Sequence, residues 1–426
     1  MATKKIKIVA LSHSPNVGGA ELALDSLMGS TKGLIEWTLV VIGKAEIDSS
    51  VVSNANKVYQ LNLPWWCHEA HDKPPKINTQ HANKQLLKLK KIAQEADLLL
   101  TNTITVPWLG FISAKIGKPH IWYIHEYGDI DHNLNFILGY KKSLEYISLL
   151  SSRVLTISTA VSKHLQQVIP SEQIDIIHQS VNLSSLLALE PAQIDKNGFA
   201  LLCLGALKPS KGQGIAAEAV AGMPTDYSIS LDILGPIADP TYFKTFKKDS
   251  RIHIRPGRYN PPIDIAKHNV LLVTSDNEAL GRVTLEGLAA GRLVIGYDCE
   301  STRELLSDDR GLLYSPNTPE ALRSAILDSA EEFATSVFSA SSNRKFVAEM
   351  YGHKRESSDF MNSYAKATDE KRASNGSYLL ENYFNELRHQ SLLQTRLEEK
   401  RIRIYRKLVS LIPKQIKSKL KTLISR

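Results

Sequence analysis

Residues 270–298 read VLLVTSDNEALGRVTLEGLAAGRLVIGYD, and this stretch decides the architecture. The apolar run Val270 to Val273 has the pattern of a buried strand, the polar TSDNE that of a loop, and residues from Gly281 to Ala290 have helical spacing. Gly291 stops the helix, and Leu293 to Gly296 form the next strand. This order puts Glu278 and the backbone amides of Ala279, Leu280 and Gly281 at a helix N-terminus, where unpaired N–H groups and the helix dipole favour an anion. Glu286 follows two turns on, with Gly287, Ala289 and Ala290 small enough for close packing. Two carboxylates around a phosphate-ready helix end suit a ligand with both hydroxyls and phosphate, as a nucleotide sugar has.

The E-x7-E pair Glu278 and Glu286, the glycine three residues after the first Glu, the helix of small residues and the G-x-L-V strand that follows resemble the retaining GT-B glycosyltransferases of the GT4-like group that builds bacterial polysaccharides. The resemblance implies two Rossmann-like domains facing across a cleft. It implies that Glu278 contacts the donor sugar, that Glu286 holds the ribose hydroxyls, and that the amides of Ala279 to Gly281 face the sugar and phosphates.

Outward from this stretch, Phe199 to Leu204, Ser228 to Leu234, Ile252 to Ile254 and Gly311 to Tyr314 add strands with helical segments between them. GALKPSKGQGIAAEAV, starting at Gly205, repeats the order of turn and helix N-terminus, with Lys211 beside Gly212. A lysine there can neutralise a diphosphate. The family has G-R-L-x-x-x-K-G at this point: Lys211 matches its lysine, whereas Ala206 stands in place of its arginine. Arg282 is then the candidate for the missing cation beside the leaving diphosphate. Arg258, in RPGRYNPP, is a further donor-side candidate.

The first half has the same alternation. Strands are expected at Ile6 to Leu11, Trp37 to Ile42, Lys57 to Leu61, Ala96 to Leu100, His120 to Ile124, Arg153 to Ile157 and Ile174 to Ile177. Helices are expected at Ala20 to Met28, Gln80 to Gln94, Val106 to Ile116, Asn133 to Leu149 and Ala160 to Val168. Gly18 and Gly19 follow the first strand and open the backbone to a phosphate or sugar, with Glu21 in the first helical turn. GGAE here also resembles the family's Gly-rich first loop, which lies near the donor diphosphate and sugar. His125, at a strand end in WYIHEYGD, matches the family's histidine near the reacting carbon, with Glu126 beside it. In PWWCHEAHDKPP, Cys67, His68, His71 and Asp72 are metal-ligand types, yet no second cluster exists and the spacing fits no compact zinc module. The paired tryptophans fit a loop over the acceptor.

A chain of 426 residues is too long for one core. The expected division is a first domain over 1–182 on the acceptor side, a linker over 183–198, a donor domain over 199–345, closing helices over 346–368 that cross back to the first domain, and a helical basic tail over 369–426. Three scattered cysteines argue against a disulfide framework. MATKK leads straight into a strand pattern rather than a signal segment, so the expected location is the cytoplasm, with any membrane contact peripheral. The net charge is +8, and residues 400–426 hold ten Lys and Arg with no Asp or Glu, so the basic excess lies in the tail. The near absence of aromatics there argues against nucleic acid. Ile416, Leu420, Leu423 and Ile424 on one helical face, flanked by lysines, suit an anionic membrane surface. Leu379, Tyr383, Leu387 and Leu393 form a second, imperfect apolar stripe fit for docking or self-association.

The expected function is transfer of a sugar, with retention, from a nucleoside diphosphate sugar to a hydroxyl of a polysaccharide or lipid-linked glycan. Neither cofactor nor metal is expected, because no DxD-type pair is present. The alternative is a GT-B-like binding or scaffold subunit without turnover, which Ala206 keeps open.

Overall fold

The computed structural model describes residues 5–69, 72, 74, 79–181, 183–192, 198–225, 227–246, 248–334, 339–369 and 378–387. Among the described residues, nine strands belong to the first half: β1 (Ile6–Ser12), β2 (Ile35–Ile42), β3 (Lys57–Leu61), β4 (Cys67–Glu69), β5 (Leu98–Asn102), β6 (His120–Ile124), β7 (Leu134–Phe136), β8 (Arg153–Thr156) and β9 (Ile174–Ile176). Seven of them form one sheet in the order β3-β2-β1-β5-β6-β8-β9. Every pairing in it is parallel. The second half contributes β10 (Gly198–Leu204), β11 (Ser228–Gly235), β12 (Ile252–Pro256), β13 (Val270–Val273), β14 (Leu293–Tyr297) and β15 (Leu312–Tyr314). These make a second parallel sheet, β12-β11-β10-β13-β14-β15. Central strands such as β5, β6 and β13 are buried at every position, which is why they read as unbroken apolar runs rather than alternating ones. The fold is two Rossmann-like domains.

The helix expected over Asn133 to Leu149 is corrected. Its first residues form β7, which pairs antiparallel with β4, and the helix starts only at Tyr140. Gly139, at φ 85°, separates the two. The tryptophan pair divides between two environments. Trp66 is buried, stacked on Trp122 at 5.7 Å, with its Nε1 donating to the Ile104 carbonyl at 2.7 Å. Only Trp65 of the pair faces the space between the domains.

The chain returns to the first domain after the second. In the helix His353–Asp369, Phe360 packs on Trp37, and the buried Glu356 carboxylate accepts from the Ser180 backbone N–H (3.0 Å) and hydroxyl (2.8 Å). Residues 378–387, assigned from the sequence to a separate tail, are helical and complete the first domain's core. There the buried Tyr383 ring meets Trp66, Trp108, Phe111 and Tyr146. The apolar stripe through Tyr383 is therefore occupied within the chain. Leu393 and the basic segment 400–426 lie outside the described residues.

Candidate active site

In a parallel sheet a ligand meets the carboxyl ends of the strands where strand order reverses. That point lies between β1 and β5 in the first sheet and between β10 and β13 in the second. Residues just past those ends, His13 and Thr103 on one side and Gly205, Ala206, Thr274 and Ser275 on the other, line one shared cavity of about 550 Å³. The two switch points face each other.

On the donor side, Lys211 Nζ contacts Glu278 Oε1 at 2.5 Å. Lys211 ends a short 3₁₀ turn closed by Gly212 at φ 64°, where a Cβ would come within 2.1 Å of the Thr274 carbonyl oxygen. Only glycine permits that approach of turn and strand end. Gly281, at φ 80°, caps the helix Arg282–Ala289. The backbone N–H groups of Ala279, Leu280 and Gly281 have no partner among the described residues. Arg282 lines the cavity and makes no ion pair among the described residues. Glu286 is 8% exposed, and its Oε2 has no hydrogen-bond partner among the described residues. Burial pushes its carboxyl up to about 7, against the pull of Arg282.

On the first-domain side, the Gly18 and Gly19 loop borders the cavity, and the helix behind it has no side-chain cap among the described residues. The Glu21 carboxylate turns back over Gly18, takes a hydrogen bond from Ser12 (3.2 Å) and sits 2.8 Å from His13 Nδ1. Burial lowers the His13 pKa, yet the hydrogen bond and charge of Glu21 outweigh it and leave it raised. His125 is buried, and Nε2 lies 2.7 Å from Asn102 Oδ1. Asn102 donates its own amide to the Ala20 carbonyl, which turns Oδ1 toward the imidazole and makes His125 Nε2 the donor. Nδ1 is left as an acceptor without a partner among the described residues. Burial, with the charges of His13 and Arg282, holds His125 down at about 3, so the ring is neutral. Glu126 is spent on the backbone, accepting from the Ile104 and His125 N–H groups at 2.6 and 3.1 Å.

Arg258 does not reach the cavity; its side chain is 89% exposed and lies 3.9 Å from Asp48. Its neighbour Tyr259 lines the wall instead. The sequence reading also passed over Lys208, half-buried three residues before Lys211 on the same turn, where burial and then Lys211 lower its pKa. Thr103 was missed as well. It holds φ 76°, uncommon for a β-branched residue, at the end of β5 in the cavity wall. Trp65, Glu69 and His132 also line that wall. Among the described residues no group of three His, Cys, Asp or Glu is placed to hold a metal. Cys67 is buried with its thiol toward the Thr105 carbonyl, and His71 lies outside the described residues.

Residues 198–332 match the family model "Glycosyl transferases group 1", and residues 52–185 match "Glycosyltransferase Family 4". Both domains match glycosyltransferase families. The chain is 27% identical over 226 residues to an uncharacterised glycosyltransferase of Methanocaldococcus jannaschii, a match that covers 51% of this chain and 60% of that protein. Similar solved structures include Anabaena HepE in complex with UDP and glucose, with TM-score 0.69, 18% identity, and coverage of 84% of this chain and 99% of that one. A glycosyltransferase from Rickettsia africae has TM-score 0.68 at 17% identity, covering 85% and 99%. The lipopolysaccharide outer core galactosyltransferase WaaB has TM-score 0.64 at 17% identity, covering 84% and 99%. These likenesses establish the GT-B fold.

Proposed function

We propose that this chain transfers a sugar from a nucleoside diphosphate donor to a hydroxyl of a polysaccharide or lipid-linked glycan, with retention at the anomeric carbon, in cell-surface polysaccharide biosynthesis. One observation carries the reading: an unpartnered buried carboxylate, Glu286, lies about one turn into the helix whose N-terminal end borders the cavity, where a lysine–glutamate pair and three open backbone N–H groups meet. Hydroxyl donors on a ribose satisfy the first, and phosphate or sugar oxygens satisfy the others. In the reaction the bond from the anomeric carbon to the diphosphate oxygen breaks. The acceptor oxygen takes its place on the same face, and the acceptor proton leaves with the diphosphate. Lys211, with Arg282 and Lys208, would stabilise the departing diphosphate and make up for Ala206. Glu278 would hold the donor sugar, and His125 Nδ1 would accept a sugar hydroxyl near the reacting carbon. Trp65, Glu69 and His132 would border the acceptor. The donor is a co-substrate, and no resident cofactor or metal enters this scheme. HepE, of the same fold, was crystallised with UDP and glucose, which makes UDP the first probe. The ten basic residues of 400–426 would bring the enzyme to an anionic membrane surface that carries a lipid-linked acceptor.

The test is a thermal-shift screen against UDP, GDP, ADP, CMP and their common sugar conjugates. A ligand that binds only the folded state raises its melting temperature. One nucleoside diphosphate should give a shift that Glu286→Gln removes. No shift with any of them would turn the reading toward a scaffold protein without turnover.

A further inference from the structure

The loop bearing Glu278 is held from behind by hydroxyl groups, two of which belong to the other domain. The Glu278 carbonyl accepts from Tyr127 Oη at 3.3 Å and from Ser301 Oγ. The Ala279 carbonyl accepts from Ser158 Oγ at 2.5 Å. Tyr127 and Ser158 lie in the first domain, just past the ends of β6 and β8, while Ser301 belongs to the second. Neither Tyr127 nor Ser158 lines the cavity, whereas Glu278, Ala279, Leu280 and Gly281 all do. A trans peptide is planar, and its C=O and following N–H point in opposite directions. Carbonyls drawn toward Tyr127 and Ser158 therefore send the Ala279 and Leu280 N–H groups the other way, and these are two of the N–H groups without a partner. Thr159 adds to the same domain contact, its backbone N–H and hydroxyl each donating at 3.1 Å to Glu304.

We infer that Tyr127 and Ser158 are positioning residues, which turn two peptide planes of the donor loop so that the Ala279 and Leu280 amides face the cavity. The anion cradle is then assembled by contact between the domains and is incomplete when they part. The first domain thereby governs the aim of amides that lie on the second. This inference rests on the nucleotide-sugar reading above.

The experiment compares UDP with UMP as probes, by calorimetry, in the full chain and in Tyr127→Phe, Ser158→Ala, Ser158→Thr and the Tyr127→Phe/Ser158→Ala double variant. The cradle serves the distal phosphate, so the ratio of UDP to UMP affinity should fall about tenfold in the double variant, by loss of aim rather than of the donor groups themselves. Ser158→Thr keeps a hydroxyl and should keep the ratio. Hydrogen exchange adds a direct view: UDP should protect the amides of 279–280 in the parent chain and fail to do so in the double variant. Ser158 also caps its own helix through the Val161 N–H, so Ser158→Ala lowers stability, but a merely structural loss weakens UDP and UMP in step. An unchanged ratio, or protection that survives in the double variant, overturns the inference while Glu286→Gln still tests the donor reading. If the parent chain binds no nucleoside diphosphate, both fall.

Discussion

Lys211 Nζ stands 2.5 Å from Glu278 Oε1, so the turn after β10 and the loop after β13 are joined by a charge pair inside the cavity. The pair keeps the lysine in place before a ligand arrives and leaves it able to shift toward phosphate. Lys211→Met should lower turnover by about two orders of magnitude, the scale of losing one stabilising group in a preorganised site. Its melting temperature should move by only a few degrees, because the lysine is about a quarter exposed and such pairs add little to stability. Steady-state transfer assays and calorimetry separate the two. Unchanged turnover would remove Lys211 from the proposed chemistry.

Glu286 should make stability depend on pH. Its folded pKa, about 7, is raised above the ordinary carboxyl value by burial, so between those values the folded state binds a proton that the unfolded state has lost. Its contribution is complete at low pH and disappears as pH rises through 7, with a slope on the order of 1.4 kcal/mol per unit. Glu286→Gln should remove that slope. Urea unfolding from pH 5 to 8 should show the variant gaining on the parent chain as pH rises.

Tyr383 should matter to stability and not to the site. Its ring is fully buried among Trp66, Trp108, Phe111 and Tyr146, away from the cavity. Tyr383→Ala should cost about 3–5 kcal/mol in urea unfolding, as other large aromatic truncations do. The affinity of the remaining folded protein for UDP should be unchanged.

Removal of residues 400–426 takes away ten basic residues and no acidic ones. The full chain should float with vesicles containing anionic lipid and lose that binding as salt is raised. The shortened chain should stay in solution under all conditions, with its nucleotide binding intact.

The sequence carried the two parallel sheets well, because strands buried on both faces leave unbroken apolar runs and their helices are marked by glycine at the ends. The structure brings Glu278, Lys211, His125 and Gly281, each close behind a strand end or at a helix start, around one cavity, with Glu286 inside the helix that begins there. What escaped depended on contacts between distant segments. β4 and β7 are three residues each, too short for a period to show, and they exist by pairing with one another. Arg258 and Tyr259 are adjacent, and only the three-dimensional turn decides which faces inward. Tyr127 and Ser158 act through hydroxyls on another domain's backbone carbonyls, which leaves no spacing to read. Thr103 carries its unusual backbone angle in a residue type that gives no hint of it.

The placement of Phe360 and Tyr383 in the first domain also bears on the order of biosynthesis. The sheet of the second domain has all its strands once residue 314 has been made, whereas the first domain, although it begins at the N-terminal end, lacks these two rings until much later. On a ribosome that releases the chain from its N-terminus, the earlier domain is the later one to be finished. Its aromatic pocket around Trp66 and Trp108 stays open through most of translation and closes with one of the last described helices.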